Sequence, residues 1–121
     1  IGAHTVSHPL LSNESKQSLY KEIEESRDYL KRCLGTEPEY FAYPFGDPSA
    51  CDRREALALE ELGFTSGFTT RHGHLFPEHS DRQFLLPRVA IDYYDNLESF
   101  TMKLSGVQAI CDRPFQRVVT V

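Results

Sequence analysis

Apolar residues at Leu19, Ile23, Leu30 and Leu34 fall on one face of an otherwise charged stretch, with small Ser26 at the intervening turn. The spacing predicts a helix over residues 14–34. Glu22, Glu25, Lys31 and Arg32 lie off that stripe and read as a solvated outer face. Ser12 or Asn13 can cap its start, and Gly35 followed by Pro38 stops it. Acidic residues precede basic ones, which suits the helix dipole. Residues 39–43 read as an aromatic strand halted by Pro44, and residues 45–49 as a turn. A second helix is expected over 50–62, ended by Gly63. Phe64, Ser66 and Phe68 alternate with Thr65, Gly67 and Thr69, predicting a strand over 64–70. Residues 71–83 form a polar loop. Residues 84–91 read as a strand with an edge position or bulge at Pro87. Asp95 with Glu98 forms a capping pair before a short helix bearing Leu97, Phe100 and Leu104 on one face. The tail from Val107 is ambiguous; residues 118–121 suit a last strand or an exposed end. Phe64, Phe68, Phe84 and Phe100 are core candidates. Short strands alternating with helices indicate an α/β protein built of βα units.

Length bounds this picture to one domain or part of one, 121 residues in all. A fold of that size buries roughly two-thirds of its unfolded surface, enough for a core without staples. The net charge of −5 argues against nucleic acid or an anionic membrane as main partner. No apolar run approaches the ~18 residues of a membrane span. Cys33, Cys51 and Cys111 are too widely spaced for a zinc-thiolate or redox motif. Three small thiols, or one disulfide plus a free thiol, both fit. Ile1-Gly2-Ala3 reads as the tail of a strand already under way, so the expectation is a fragment with a missing upstream portion.

Two short segments carry candidate chemistry. In His4-Thr5-Val6-Ser7-His8, two imidazoles four apart can converge on a helix, on a strand or in a bent loop. They make half a site for zinc or another divalent first-row metal, or else two ordinary strand-end histidines. No glutamate completes a His-Glu-x-x-His motif. In Tyr43-Pro44-Phe45-Gly46-Asp47, the turn can expose backbone N–H groups to a developing oxyanion, or simply end a strand.

Taken together, these segments resemble a known family. Residues 1–9 are similar to the His-Ser/Thr-x-x-His-Pro metal motif of the polysaccharide deacetylases, the NodB-homology enzymes of carbohydrate esterase family 4. Phe41-Ala42-Tyr43-Pro44-Phe45-Gly46 looks like a variant of that family's next motif. The helical stretch between them, and the run from Gly63-Phe64 through Thr70 to Leu86-Pro87-Arg88, also resemble family members. The likeness covers about residues 1–104.

The resemblance implies the later part of a distorted (β/α) barrel of about seven strands, with the site at the C-terminal strand ends. It implies that residues 1–121 form a partial deacetylase domain. His4 and His8 would ligate a divalent metal, often zinc, and the Phe45 N–H would help hold the oxyanion. Tyr43, Pro44 and Gly46 would contact an N-acetylated glycan, releasing acetate and a glucosamine-type amine. Departures are equally specific. No Asp-Asp pair occurs, so the family's base and third metal ligand are missing. The motif arginine that pairs with the base falls at Ala42; Arg88 could supply that charge, or make a surface salt bridge. The general-acid histidine has no clean match, and His72, His74 and His79 read as candidates or as solvated loop residues. Asp47 and Asp92 are the nearest carboxylates for a missing ligand, with turn capping the alternative for Asp47. Tyr93 and Tyr94 could stack on a sugar or pack half-buried.

Three functions follow from this reading. One is a metal-dependent polysaccharide de-N-acetylase with an incomplete site. The second is a hydrolase of C–N bonds in small cyclic amides or imides. The third is a non-catalytic metal- or glycan-binding remnant. A partial barrel leaves open sheet edges, to be covered by unseen residues, a second copy or a partner chain. Family members are often extracytoplasmic, but no compartment is assigned by these residues.

Overall fold

The computed structural model describes residues 1–107. Its frame is a parallel sheet. Strand β1 (Tyr40–Ala42) pairs with β2 (Ser66–His72), and β2 pairs with β3 (Leu86–Arg88). On the far side of β1, Ala3 makes a parallel bridge to Phe41. The Ala3 N–H donates to the Tyr40 carbonyl at 2.8 Å, and the Ala42 N–H to the Ala3 carbonyl at 2.9 Å. Four parallel segments therefore lie side by side in chain order. Helix α1 (Lys16–Leu34) links the first two, and α2 (Arg53–Glu61) links β1 to β2. Parallel neighbours require such crossovers.

Helix α1 starts later than the spacing predicts. Leu11–Asn13 form a 3-10 turn, so Ser15 is the cap, its hydroxyl accepting the Ser18 N–H at 3.1 Å. Left-handed Gly35 ends the helix, its N–H donating to the Lys31 carbonyl. Leu19, Ile23 and Ser26 are buried as expected, whereas Leu34 is exposed beside a surface cleft with Ile1, Pro38 and Tyr40. Helix α2 is shorter than residues 50–62, because Ala50 and Cys51 belong to a turn closed on the Asp47 carbonyl.

The core gathers Ala3, Leu11, Leu19, Ile23, Phe41, Tyr43, Cys51, Ala58, Leu59 and Phe64. The Phe41 ring meets Tyr43 and Phe64 edge-on at 5.3 and 5.7 Å between centroids. Each such side chain contributes roughly 1.5–3 kcal/mol by leaving water.

Strand β2 faces the other way from the expected alternation. Gly67 and Thr69 are its buried positions, and Phe68 is only half-buried. The reason is close packing: a Cβ on Gly67 would lie 2.7 Å from Leu59 Cδ1 and 2.6 Å from the Phe84 carbonyl oxygen. Thr69 fits because its hydroxyl donates to the Leu86 carbonyl at 3.0 Å. Phe64 enters the core from just before the strand. Phe84 packs half-buried against the core, and Phe100 is exposed.

Beyond β2 the polar loop is not featureless, since Pro77–Arg82 form a 3-10 turn. Strand β3 holds only the middle of residues 84–91, with Pro87 on the outer strand as its missing N–H requires. Helix α3 (Leu97–Ser105) is capped by Asn96 and Ser99 rather than by Asp95 and Glu98: Asn96 accepts the Ser99 N–H at 2.9 Å, and the Asn96 N–H donates to the Ser99 hydroxyl at 3.0 Å. Leu97 and Leu104 are exposed. Tyr93 and Tyr94 are 95% and 91% exposed, not half-buried. Cys33 (exposed) and Cys51 (buried) are free thiols; Cys111 and the possible strand at 118–121 lie outside the described residues. Among the described residues, no helix is long and apolar enough to cross a membrane.

Candidate active site

Both singled-out segments leave the sheet at the same end. His4 follows the Ala3 bridge and Tyr43 follows β1, so each loop begins where its strand stops. In parallel α/β folds this strand end is where ligands bind. The His4 and His8 rings lie 5.0 Å apart, edge to face, and the His8 ring lies 5.2 Å from the Phe45 ring. The structure therefore brings three of the predicted site residues together.

The first loop converges its histidines by turning sharply. Thr5 and His8 have left-handed backbones, with φ of 63° and 59°. The Thr5 hydroxyl donates to the His4 carbonyl at 2.6 Å and accepts the His8 N–H at 3.1 Å. His4 Nδ1 lies 2.8 Å from the Ala42 carbonyl. Because a carbonyl only accepts, Nδ1 carries the proton there and Nε2 keeps its lone pair. A backbone carbonyl behind an imidazole is the usual way to orient a metal-binding histidine. The donor chemistry thus fits one half of a divalent-metal site. Among the described residues, no group of three or more His, Cys, Asp or Glu stands together to hold a metal.

Among the described residues, the second loop leaves the Phe45 backbone donor free. The Tyr43 N–H donates to the Phe68 carbonyl at 2.9 Å, Pro44 has no N–H, and the Gly46 N–H donates to the Thr70 hydroxyl at 3.0 Å. The Phe45 N–H has no acceptor among the described residues. Its residue is exposed, beside His8.

Two residues given a substrate contact by the resemblance lie inside the loop. Tyr43 is wholly buried, its hydroxyl donating to the Phe84 carbonyl at 2.9 Å, and burial pushes its ionisation far up. Gly46 is also buried; a Cβ there would lie 1.9 Å from the Thr70 nitrogen. Both residues shape the loop from inside. Pro44 remains half-buried at the surface.

The other candidates separate from the pair. Arg88 is exposed at the end of β3, its Nε donating to the Thr69 carbonyl at 2.7 Å, and it makes no salt bridge among the described residues. Asp47 caps its own turn, accepting the Ser49 N–H at 2.9 Å. Hydrogen bonds from the Ser49 hydroxyl and N–H hold its carboxyl below the usual range. Asp92 accepts the Tyr94 N–H at 2.9 Å. His72, His74 and His79 line a separate small cleft with Arg71 and Pro87.

Two side chains that hold the loops escaped the sequence reading. Glu22, assigned to a solvated face, is half-buried and accepts the Val6 N–H at 2.8 Å and the Ser7 N–H at 2.9 Å. Burial opposes its charge, yet these bonds and the Ser7 hydroxyl hold its carboxyl below the ordinary range. Arg71 donates to the Gly46 carbonyl at 3.1 Å and the Cys51 carbonyl at 2.5 Å, tying the second loop to the turn before α2. Burial pushes the thiol of Cys51 beneath it up to about 11, which disfavours the thiolate.

Residues 1–67 match the family model described as polysaccharide deacetylase, and both loops lie inside that match. The chain belongs to the polysaccharide deacetylase family. Its fold matches solved structures of such enzymes. One is the Streptococcus pyogenes deacetylase PplD in complex with acetate: TM-score 0.75, 25% identity, covering 84% of this chain and 43% of that one. Another is a polysaccharide deacetylase from Bacillus cereus: TM-score 0.74, 21% identity, covering 85% of this chain and 31% of that one. The second likeness is one of fold alone. This chain spans less than half the length of either deacetylase. No curated protein matches it significantly by sequence. The parallel α/β architecture is thus that of part of a NodB-type deacetylase fold.

Proposed function

We propose that this chain supplies two loops of a metal-dependent hydrolase site that removes N-acetyl groups from a polysaccharide. The observation that supports the reading is the juxtaposition of the His4–His8 pair with the unengaged N–H of Phe45 at one end of a parallel sheet. His4 and His8 would hold a divalent metal, zinc being one that imidazole suits. When bound, such an ion polarises an acyl oxygen and lowers the pKa of water.

The chain's own residues then have separable tasks. The Ala42 carbonyl keeps the His4 proton on Nδ1, leaving Nε2 as a donor. The Phe45 N–H donates to the oxygen that gains charge as the amide carbonyl becomes tetrahedral. One such donor typically contributes about 3 kcal/mol of transition-state stabilisation. Gly46, held by Thr70 and Arg71, fixes the direction of that N–H. Arg88, at the same end of the sheet, offers positive charge to a base carboxylate. Among the described residues no carboxylate joins the imidazole pair, so turnover requires a base from elsewhere in the domain. The chain alone is accordingly inactive in this reading.

Calorimetric titration of the metal-free chain with Zn²⁺, beside a His4→Ala/His8→Ala variant, tests it. Stoichiometric binding that disappears in the variant is expected. Equal behaviour of the two proteins would sink the metal assignment. For substrate class, acetate release from N-acetylglucosamine oligomers by the chain joined to a segment that supplies an Asp-Asp pair is the readout. Turnover of cyclic imides in its place would overturn the glycan reading.

A further inference from the structure

The loop from His4 to His8 holds a conformation its own residues disfavour. Left-handed backbone is strained for a non-glycine residue, and Thr5 is β-branched as well. Such strain persists only where neighbours over-determine it. The Thr5 hydroxyl acts within the loop. From outside it, a single side chain grips the two residues between Thr5 and His8. Glu22 Oε2 accepts both the Val6 and Ser7 N–H groups, and Oε1 accepts the Ser7 hydroxyl at 2.8 Å. Glu22 is itself fixed, since it precedes wholly buried Ile23 on a helix capped at both ends.

We propose that Glu22 is the positioning residue of the imidazole pair: its carboxylate holds Val6 and Ser7 so that His4 and His8 converge. Its bonds go to Val6 and Ser7, not to either ring, so it acts through the backbone. The geometric claim stands on the loop alone. Its consequence for metal affinity rests on the metal reading given above.

Charge and position separate experimentally. In a Glu22→Gln variant the amide oxygen can take both N–H groups and the amide nitrogen can donate to the Ser7 hydroxyl. The clamp survives without charge. In Glu22→Ala it is gone. Zinc titration should show affinity lowered at least about tenfold in Glu22→Ala, the scale seen when a partner behind a metal ligand is removed. Glu22→Gln should stay within about threefold of wild type, since only charge assistance is lost. Wild-type affinity in Glu22→Ala, or equal loss in both variants, would overturn the proposal. If the unaltered chain takes no zinc, the metal reading fails, and the His4–His8 ring-to-ring NOE carries the test. That NOE should be present in wild type and Glu22→Gln and absent in Glu22→Ala; its persistence in the last refutes the clamp. Should Glu22→Ala fail to fold, Ser7→Ala, which removes one of the three contacts, should weaken zinc binding or the NOE, and no change in either refutes the clamp.

Discussion

Helix α1 and helix α3 treat apolar side chains in opposite ways. Helix α1 is rich in charge, yet it buries Leu19, Ile23 and Ser26 against the core. Helix α3 carries Leu97, Phe100, Met102 and Leu104 in nine residues and buries none of them. Apolar content therefore does not decide which helix is held. The deciding factor is a surface to cover: α1 is the crossover between two paired parallel segments, while α3 follows β3, the outermost strand among the described residues. The wholly buried side chains lie between Ala3 and Thr69, and the site loops spring from that same region. The loops thus stand on the part of the molecule with the greatest cost of opening, and α3 belongs to the low-cost end.

The sharpest way to break this comparison is a matched pair of truncations. Phe41→Ala, in the centre of the core, should cost about 3–5 kcal/mol. Phe100→Ala, on α3, should cost under about 1 kcal/mol. Urea unfolding of both variants measures the difference; equal losses would show that α3 is as integral as α1. Next in size is Gly46→Ala. A Cβ there meets the backbone of Thr69 and Thr70, which cannot swing aside as a side chain can. We expect a loss of about 1–3 kcal/mol with displacement of Phe45 from His8, read from the melting temperature and the His8–Phe45 ring NOE. An unmoved contact would show that the second loop is softer than its packing implies.

The order and type of the elements before residue 72 were legible because their spacing and punctuation agree. Helix α1, the aromatic strand stopped by Pro44, and helix α2 all combine a periodic face with a local stop. The two histidines and the Tyr-Pro-Phe-Gly turn stood out by type and spacing, and the structure brings them together. What escaped was whatever depends on approach from far along the chain. Glu22 sits off the apolar stripe, and nothing local distinguishes it from Glu25; only the return of residues 6 and 7 gives it a task. Arg71 likewise acts on carbonyls 25 and 20 residues away. The resemblance gave Tyr43 a glycan contact, whereas the direction of its ring into the core is set by pairing with β2. Gly67 inverted the expected faces of β2 because the tightest packing demanded the smallest residue.

The smallest expected effect probes α3 from its own end. Asp95 accepts Lys103 Nζ at 2.6 Å, the Asp92 N–H at 2.8 Å and the Ser99 hydroxyl at 2.9 Å. The Lys103 bond foremost, with these others, holds its carboxyl down to about 2. The unfolded value is about 3.9. A depressed folded value means the contacts favour the folded helix above the unfolded pKa. That contribution fades as pH falls from about 4 and is gone below about 2. Amide protection across Leu97–Ser105, with exchange corrected for its intrinsic slowing in acid, should therefore fall over that window, while amides around Ile23 and Phe41 keep theirs longer. Asp95→Asn should remove the acid response of α3 and leave its exchange fast at neutral pH. An unchanged acid response in that variant would mean that α3 is tied down by something other than its Asp95–Lys103 contact, and the contrast with α1 would lose its electrostatic half.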